Sequence, residues 1–245
     1  MAMPDIPISS PSLRVAFDIG GTFTDVLIAG PHGRLLKYKI LTLPDSIGGD
    51  VNRCIESALA ECPGSLVSTI VHGTTVAANA VLEQKGAKTG LLTTQGFRDE
   101  LEIRRLGRPG IYSVFWERNA PLIPRRLRLE VNERLRMDGA VDAPLDEAAV
   151  EAAAYRFREA GIEALAIAFL HAYVNPVHEE RARVLVRAVM PEIDISTSAE
   201  VLPEVREYER TSTTALNAYL TPVVNRYLGA LEEALSHHGT DLRIM

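Results

Sequence analysis

Residues 16–30, AFDIGGTFTDVLIAG, place a compact polar turn between two apolar runs. The runs LRVAFDI (13–19) and DVLIA (25–29) predict the two strands of a hairpin. The polar residues and glycines of the turn are Asp18, Gly20, Gly21, Thr22, Thr24 and Asp25. A structural hairpin needs a turn residue such as glycine, but it does not need acids and hydroxyls at the same point. This segment therefore constrains both the fold and the function.

The rest of the chain predicts a third strand and then an alternation of helices and strands. RLLKYKIL (34–41) follows the turn Pro31-His32-Gly33 and completes an antiparallel meander. The predicted order after it is helix 46–61, strand 65–73, helix 74–86 closed by Gly86, strand 88–94, helix 145–160, strand 163–170, helix 176–190, strand 193–198 and helices 204–220 and 222–237. Asn175-Pro176 and Thr221-Pro222 predict helix starts, because each joins an N-cap residue to a proline at the first helical position. Alternation of this kind implies parallel pairing, so we expect an α/β fold with a mixed sheet.

Residues 96–138 do not fit this alternation. They include the only tryptophan of the chain, and we interpret them as an excursion from the sheet, a loop plus a short hairpin. The charged run RRLRLEVNE (125–133) within them predicts a solvated strand face. At the start of the chain we expect a disordered tail over residues 1–12, followed by one domain over residues 13–245.

Composition and charge exclude several classes of function. The formal net charge of -6 argues against a nucleic-acid-binding protein. Cys54 and Cys62 match no zinc or redox spacing, so we expect reduced cysteines that pack in the core. The first residues lack the pattern of a signal peptide, and the longest apolar run, ALAIAFL (164–170), is too short to cross a bilayer. We therefore expect a cytoplasmic protein that binds neither membranes nor nucleic acids.

The glycine turn can do more than reverse the chain. Its two glycines allow successive backbone N–H groups to point into one concave surface, which binds phosphates, and its two threonines add hydroxyl donors there. Asp18 would repel a phosphate but suits the Mg²⁺ that accompanies a nucleotide, and Asp25 suits the same role or caps the turn. The alternative is a tight hairpin in which the acids and hydroxyls only satisfy backbone groups. The residues alone leave both interpretations open, since neither a P-loop nor a G-x-G-x-x-G fingerprint is present.

A resemblance to known proteins adds to this reasoning. FDIGGTFTDV (17–26) resembles the first phosphate loop of the actin, sugar-kinase and Hsp70 superfamily. Longer segments resemble the N-terminal domain of the hydantoinase A / 5-oxoprolinase family. These segments are VHGTTVAANAVLEQKGAKTGLLTTQGFRDELEI (71–103), LIPRRLRLEVNERL (122–135), FLHAYVNPVHEERA (169–182) and VLPEVREYERTSTTALNAYL (201–220). Several blocks in the same order are specific for the family, although not for a substrate.

The resemblance implies a ribonuclease H-like, actin-type ATPase fold that uses ATP and Mg²⁺. It also implies ATP-dependent opening of a cyclic amide such as 5-oxoproline or a hydantoin, in which ATP phosphorylates a poorly reactive oxygen. The loop from Asp18 to Asp25 matches the family pattern DxGGTxTD position by position. The resemblance therefore assigns phosphate binding to the six loop residues named above, and Mg²⁺ to Asp18. The alternatives are the ATP-binding subunit of an acetone or acetophenone carboxylase and a non-catalytic remnant of the fold.

A second candidate site follows the fourth predicted strand. His72, Gly73, Thr74 and Thr75 end that strand and open a helix, so their N–H groups are candidates to bind an anion or a substrate carboxylate. The alternative is that a threonine only caps the helix and that His72, like most single histidines, is structural.

Three further polar groups have simpler expected roles. For His171 and His178, seven residues apart, we expect surface or capping roles because the spacing is not that of metal ligands. For Glu207 and Arg210 we expect an ion pair between neighbouring turns of one helix, with a role in the site as the alternative. The sequence contains no recognisable Ser/His/Asp or Cys/His set, so the catalytic base stays unassigned.

We also expect the activity to need more than this chain. Actin-type ATPases bind nucleotide between two related halves, each with a phosphate loop, and only one such loop is present here. The resemblance implies longer relatives and a partner subunit of the hydantoinase B type. We therefore expect the chain to lack the second half of the ATPase cleft and to expose apolar area on its sheet or on its last helices.

Overall fold

The computed structural model describes residues 11–42, 47–105, 107, 120–240 and 242–245. These residues form two compact units. Unit 1 holds the described part of residues 1–84 and 224–245, and unit 2 holds that of residues 85–223. Most of the expected tail lies outside the described residues, and the first strand already begins at Ser12.

The secondary structure follows the predicted alternation closely. The strands are β1 Ser12–Ile19, β2 Phe23–Ala29, β3 Leu35–Leu41, β4 Leu66–Thr74, β5 Thr89–Thr94, β6 Arg128–Val131, β7 Arg134–Leu135, β8 Val141–Ala143, β9 Ala164–Ala168, β10 Asp194–Thr197 and β11 Leu242–Ile244. The helices are α1 Ile47–Glu61, α2 Val76–Leu82, α3 Glu100–Ile103, α4 Glu147–Ala160, α5 Val177–Val189, α6 Ser198–Val201 and α7 Glu207–Leu235.

Unit 1 is built on a five-stranded sheet with the order β11-β4-β1-β2-β3. The first three strands pair antiparallel, while β4 pairs parallel to β1 and β11 pairs parallel to β4. The predicted meander and the predicted mixed sheet are therefore confirmed. The short β11 was not predicted, because three residues are too few to show a periodic pattern.

One face of this sheet forms the core of unit 1. Alternate residues of β1 and β2 pack there against α1 and against the part of α7 that belongs to unit 1. The main core side chains are Leu13, Val15, Phe17, Val26, Ile28, Ile55, Ala58, Leu231 and Leu235. Since side chains alternate along a strand, Asp18 and Asp25 lie on the opposite face.

That opposite face is open and carries apolar side chains. Phe23, Leu27, Leu35, Leu41 and Leu66 are each between 40% and 67% exposed. Exposed apolar area on the sheet was expected from the sequence, and the pair of Phe23 and Leu41 is the part of it that lies next to the candidate phosphate loop. Cys54 and Cys62, on the core side, are free and pack in or against the core, as predicted.

Unit 2 is built on a four-stranded parallel sheet with the order β10-β9-β5-β6. The two middle strands, β5 and β9, are buried throughout, as in sheets covered on both faces. The core between this sheet and helices α4 and α5 contains Val150, Phe157, Leu165, Ile167, Phe169 and Leu185. This unit supplies the parallel strands that the alternation predicted.

The prediction of two final helices separated at Thr221-Pro222 was wrong. One helix, α7, runs through Pro222. Proline removes an N–H from the helix ladder, and the hydroxyl of the adjacent Thr221 donates to the carbonyl of Asn217 at 2.8 Å. Before the proline, Ala215 and Ala218 pack in a core of unit 2. After it, Leu231 and Leu235 pack in the core of unit 1. Packing therefore overrides the local signal of an N-cap followed by proline.

Two other helix ends also differ from the prediction. Helix α2 stops at Leu82, and the residue that takes the left-handed conformation is Gln84, not Gly86. At the head of α5, Pro176 occupies the N-cap position, and the side chain of Asn175 instead accepts a hydrogen bond from the amide of Val177 at 3.2 Å.

The region 96–138 was only partly predicted. A part of it, residues 106 and 108–119, lies outside the described residues. A short hairpin is formed by β7 and β8, but β8 lies beyond residue 138, and β6 belongs to the main sheet of unit 2. The prediction of a solvated face was wrong for Arg128, which is 1% exposed and bonds to the carbonyl of Ile123 and to Glu102. Among the described residues, no helix is both long and apolar enough to cross a membrane.

Candidate functional site

The glycine turn joins β1 to β2, and its two central residues are Gly21 and Thr22. The amide of Gly20 donates to the carbonyl of Phe23 at 3.0 Å. From outside the hairpin, Thr42 donates its amide to the carbonyl of Thr22 at 2.9 Å and its hydroxyl to the carbonyl of Gly20 at 3.0 Å. The turn is therefore held in one conformation by the residue that follows β3.

Thr24 helps to hold this turn from the core side. Its side chain is buried, at 1% exposure, and its hydroxyl lies 3.0 Å from the hydroxyl of Thr42. The sequence predicted that Thr24 would donate to a phosphate at the mouth. In the structure its hydroxyl belongs to the bond network under the turn, whereas Thr22 is exposed.

The turn offers two unpaired backbone donors. Within the described part of the chain, the amides of Gly21 and Thr22 make no hydrogen bond. The two glycines also differ in what surrounds them. A Cβ on Gly20 would lie 3.0 Å from the carbonyl oxygen of Phe23, whereas a Cβ on Gly21 would meet no atom within 4 Å. The fold thus explains why residue 20 is glycine but leaves residue 21 free to carry a side chain.

Two carboxylates lie on the open face next to these donors. Asp18 and Asp25 are direct partners across β1 and β2, and both are exposed. Lys39 on β3 pairs with Asp25 at 3.3 Å, but the carboxylate of Asp18 makes no hydrogen bond or ion pair with any described residue. Because like charges opposite each other destabilise a sheet, this pair favours the binding of a further cation. Both carboxylates line a cavity of about 430 Å³ on this face.

The second candidate segment, residues 72–75, lies directly beside the first. In the parallel pairing of β1 and β4, Gly73 is the partner of Asp18, and a Cβ on Gly73 would come within 3.5 Å of the Asp18 carboxylate. The hydroxyls of Thr74 and Thr75 accept bonds from the amide of Val76 and from the side chain of Asn79, each at 3.2 Å. The two threonines therefore act in the local structure where α2 begins.

His72 is a buried member of this segment, with 0% exposure. Its Nδ1 lies 3.3 Å from the carbonyl of Phe17, which can only accept, so Nδ1 carries the proton. Its Nε2 then accepts from the hydroxyl of Tyr227 at 2.6 Å. Burial lowers the pKa of His72 and raises the pKa of Tyr227 to about 12. His72 thus fixes the end of β1 at Phe17, the residue before Asp18. Its ring does not face the open cavity.

The pH dependence of folding follows from this environment. The pKa of His72 in the folded chain lies below the ordinary value of 6.5, although the nearby Asp18 opposes the shift. The unfolded chain therefore takes up the proton first, so the free energy of unfolding should fall as the pH drops below about 6.5. Urea unfolding between pH 8 and pH 5 measures this slope. His72→Gln should flatten it, whereas the exposed His32→Gln should not; an unchanged slope in His72→Gln contradicts the assignment.

The remaining polar candidates lie in unit 2 and differ from their expected roles. His178 is 6% exposed, and its Nδ1 lies 2.8 Å from a carboxylate oxygen of Glu133, so the expected surface or capping role is wrong. Arg210 is 2% exposed and bonds to the carbonyl of Phe169 instead of forming the expected ion pair with Glu207. His171 is half-buried and lies 3.3 Å from the hydroxyl of Tyr173.

Sequence reasoning missed Thr42, Lys39 and Tyr227 as members of the first site. Tyr227 is 155 residues from the histidine to which it bonds, and no local pattern marks such a contact. Thr42 and Lys39 lie on or just after β3, and the meander topology is the signal that could have placed them beside the turn.

Comparison with known proteins identifies the family of the chain. The sequence profile of the family described as "Hydantoinase/oxoprolinase N-terminal region" matches residues 14–190. The caprolactamase subunit alpha of Pseudomonas jessenii is 39% identical over 242 residues, which cover 95% of this chain and 34% of that subunit. The 5-oxoprolinase of Saccharomyces cerevisiae is 28% identical over 271 residues, which cover 92% of this chain and 21% of that enzyme.

Solved structures agree with the sequence comparison. The crystal structure of the ATP-dependent caprolactamase from Pseudomonas jessenii matches with a TM-score of 0.83 and 38% identity, over 94% of this chain and 35% of that one. A nucleotide-free structure of acetone carboxylase matches with a TM-score of 0.84 and 28% identity, over 96% and 36% of the two chains. The predicted ribonuclease H-like, actin-type α/β fold is confirmed. The chain spans about one third of the length of the caprolactamase subunit.

Proposed function

The chain belongs to the hydantoinase/oxoprolinase family, and we propose that its first hairpin binds the phosphate groups of ATP. The observation that carries this proposal is the pair of unbonded amides at Gly21 and Thr22. Successive N–H groups that point outward from a tight turn form an anion site, and a phosphate would satisfy both. Thr22, whose side chain is exposed, adds a hydroxyl at the same point.

Mg²⁺ would be held next to the phosphates by Asp18. Its carboxylate has no partner among the described residues, and hard oxygen ligands are those that Mg²⁺ prefers. No group of three or more His, Cys, Asp or Glu side chains that could hold a metal occurs in the described residues. This fits Mg²⁺, which usually takes one or two carboxylates and completes its shell with phosphate oxygens and water. Asp25 is already paired with Lys39 and supports the site at longer range.

The reaction proposed for the protein that carries this chain is ATP-dependent opening of a cyclic amide. Two relatives bear the names caprolactamase and 5-oxoprolinase, and one solved relative is described as ATP-dependent. Transfer of the γ-phosphoryl group to the amide oxygen would activate the ring carbon for attack by water. Such transfer depends mainly on positioning and charge stabilisation, which a rigid loop with Mg²⁺ supplies.

A ketone carboxylase is the second candidate. It is favoured by the acetone carboxylase structure, whose match is as good as that of the caprolactamase. The same ATP site would serve there, because an enolate oxygen can be phosphorylated as an amide oxygen can. Several relatives are named as subunits, so we also propose a partner subunit of the hydantoinase B type and a second half of the nucleotide cleft. The intact loop argues against a non-catalytic remnant.

Gly21→Ala tests the proposed phosphate site without disturbing the fold. A methyl group fits at residue 21 in the free protein, so the free energy of unfolding should stay within about 0.5 kcal/mol of wild type. A bound phosphate would have to approach the space that the methyl group fills, so affinity for Mg²⁺-ATP should fall at least about 10-fold. Calorimetry with millimolar Mg²⁺-ATP measures this. Gly64→Ala, in a distant turn, is the control for affinity; equal affinity in Gly21→Ala and wild type would overturn the assignment.

A further inference from the structure

The sheet of unit 2 has a topological switch point between β5 and β9. From β5 the chain passes to β6 on one side, then returns to β9 on the other side and continues to β10. All neighbouring strands of this sheet are parallel, so their carboxyl ends meet at one edge. In open parallel sheets, ligands bind outside this edge at the point where the strand order reverses.

Four buried ionisable residues gather at this edge, and we call them the edge cluster. They are Glu133 at 1%, His178 at 6%, Glu179 at 0% and Arg210 at 2% exposure. Charged side chains are almost never buried to this extent unless they are paired or functional. Whether these four residues are paired with one another therefore decides whether the cluster is structural or functional.

The members of the edge cluster meet at the peptide segment that follows β9. Arg210 donates from Nη2 to the carbonyl of Phe169. The next amide, of Leu170, donates to the hydroxyl of Thr94 at 3.0 Å, and that hydroxyl donates to Glu133. The cluster thus lies at the ends of β5 and β9, on both sides of the switch point.

Both carboxylates of the cluster are fully engaged. Glu179 accepts from the amide of Phe169 at 2.8 Å, from the hydroxyl of Ser198 at 2.6 Å and from the amide of Ala199 at 2.9 Å. Glu133 accepts from Thr94 on one oxygen and contacts His178 with the other. No carboxylate oxygen of Glu133 or Glu179 lies within 4.0 Å of an Arg210 nitrogen, the distance that defines an ion pair.

Arg210 is therefore a buried cation without a carboxylate in contact. Its Nε and Nη1 are sealed from solvent and have no hydrogen-bond partner. The ring of Tyr173, 5.4 Å from the guanidinium carbon, offers only a cation–π contact. Arginine does not lose its proton in proteins. Burial lowers the pKa of Arg210, whereas the carboxylates of Glu179, Glu207 and Glu133, which lie beyond ion-pair distance, raise it.

His178 adds a second open group at the same edge. Its Nδ1 is engaged by Glu133. Its Nε2 bonds to no described residue and is not among the atoms sealed from solvent. A carboxylate behind one ring nitrogen fixes the orientation of the ring and presents the other nitrogen to a ligand.

We propose that the carboxyl edge of the unit 2 sheet binds a small molecule through a carboxylate or phosphate group, which pairs with Arg210. The Nε2 atom of His178 offers a second polar contact at this edge. The oxyanion would place a countercharge in direct contact with the guanidinium and satisfy its two unpaired N–H groups, as bidentate arginine pairs commonly do. This inference is independent of the nucleotide loop of unit 1, since it uses no residue of that loop.

Nuclear magnetic resonance of the Arg210 side chain tests the proposal on the 245-residue chain. Sodium phosphate, acetate and bicarbonate are added separately at constant ionic strength, with chloride as the reference. At least one anion should shift the Nε–H signal of Arg210 saturably, with a Kd of about 1 mM or tighter. A response to phosphate alone identifies a phosphate group, and a response to acetate or bicarbonate identifies a carboxylate-type ligand.

Failure of all three anions to shift this signal up to tens of millimolar overturns the proposal and leaves buried water as the partner of Arg210. Arg210→Gln assigns the signal by removing it, and Arg158→Gln, an exposed change in the same unit, should preserve the response to the anion. His178→Asn is the second variant. Asparagine places its amide nitrogen where Nδ1 of the histidine lies, so it keeps a donor to Glu133 but lacks Nε2. Binding should weaken at least about 3-fold if Nε2 contacts the ligand.

Discussion

Asp18→Asn is expected to lower ATP hydrolysis at least about 100-fold in the protein that carries this chain, as loss of a preorganised charge-stabilising group typically does. Asparagine has the same shape but lacks the charge that would hold Mg²⁺ beside the phosphates. The fold should not suffer, because Asp18 is exposed, has no partner among the described residues and lies opposite Asp25. Unfolding by urea should show wild-type stability or a small gain from the relieved repulsion.

The assay for this variant also identifies the substrate. ATP loss is measured with 5-oxoproline, hydantoin, N-methylhydantoin or caprolactam, and with acetone plus bicarbonate. Stimulation by one cyclic amide supports the leading proposal, whereas stimulation only by the ketone supports the carboxylase. Asp142→Asn, an exposed change in β8, is the matched control and should keep wild-type turnover. Near-normal turnover in Asp18→Asn would exclude a Mg²⁺-organising role for this residue.

Gly86→Ala is expected to destabilise unit 2 by about 3 kcal/mol, the upper end of the usual cost of overpacking. A Cβ on Gly86 would lie between 2.0 and 2.2 Å from three ring atoms of Tyr219. The ring is 8% exposed, and its backbone carbonyl accepts from the amide of Ala87 at 2.9 Å, so it cannot easily move aside. Urea unfolding of the 245-residue chain measures the loss.

The matched control for this change is Gly229→Ala. Gly229 lies inside α7, and a Cβ there would meet no atom within 4 Å. Alanine favours a helix interior over glycine, so this variant should be neutral or more stable by up to about 1 kcal/mol. Combining Gly86→Ala with Tyr219→Ala should cost less than the sum of the two single changes, because the second removes the obstacle. Additive losses would show that the contact with Tyr219 is not the cause.

Periodic signals predicted the framework of both units. Alternation along β1 and β2 and the apolar runs of β5 and β9 are local patterns, and these elements lie within one or two residues of their predicted bounds. The α/β architecture and the position of the glycine turn followed from them. What failed were the short signals that packing can override, namely Pro222 as a helix start and Gly86 as a helix end.

The candidate site was predictable in part. The loop residues were found from their chemistry, and the pairing of β1 with β4 brings residues 72–75 to the same edge. The separate roles of the loop residues were not predictable, because they depend on contacts with distant segments. The hydroxyl of Thr24 bonds to the hydroxyl of Thr42 beneath the turn, and the hydroxyl of Tyr227 bonds to His72 and fixes its ring. The edge cluster was missed because its residues come from three separate segments, and only the folded sheet brings them together.

The most direct test of the central claim is a titration of the ¹⁵N-labelled 245-residue chain with ATP, followed by the amide signals of the turn. With Mg²⁺ present, millimolar ATP should shift the amides of Gly21 and Thr22 more than any others in unit 1, because these are the unpaired donors. Removal of Mg²⁺, or the change Asp18→Asn, should weaken these shifts strongly. If both amides stay unmoved at saturating Mg²⁺-ATP, or if the largest shifts in unit 1 lie away from the turn, the hairpin is not a phosphate site.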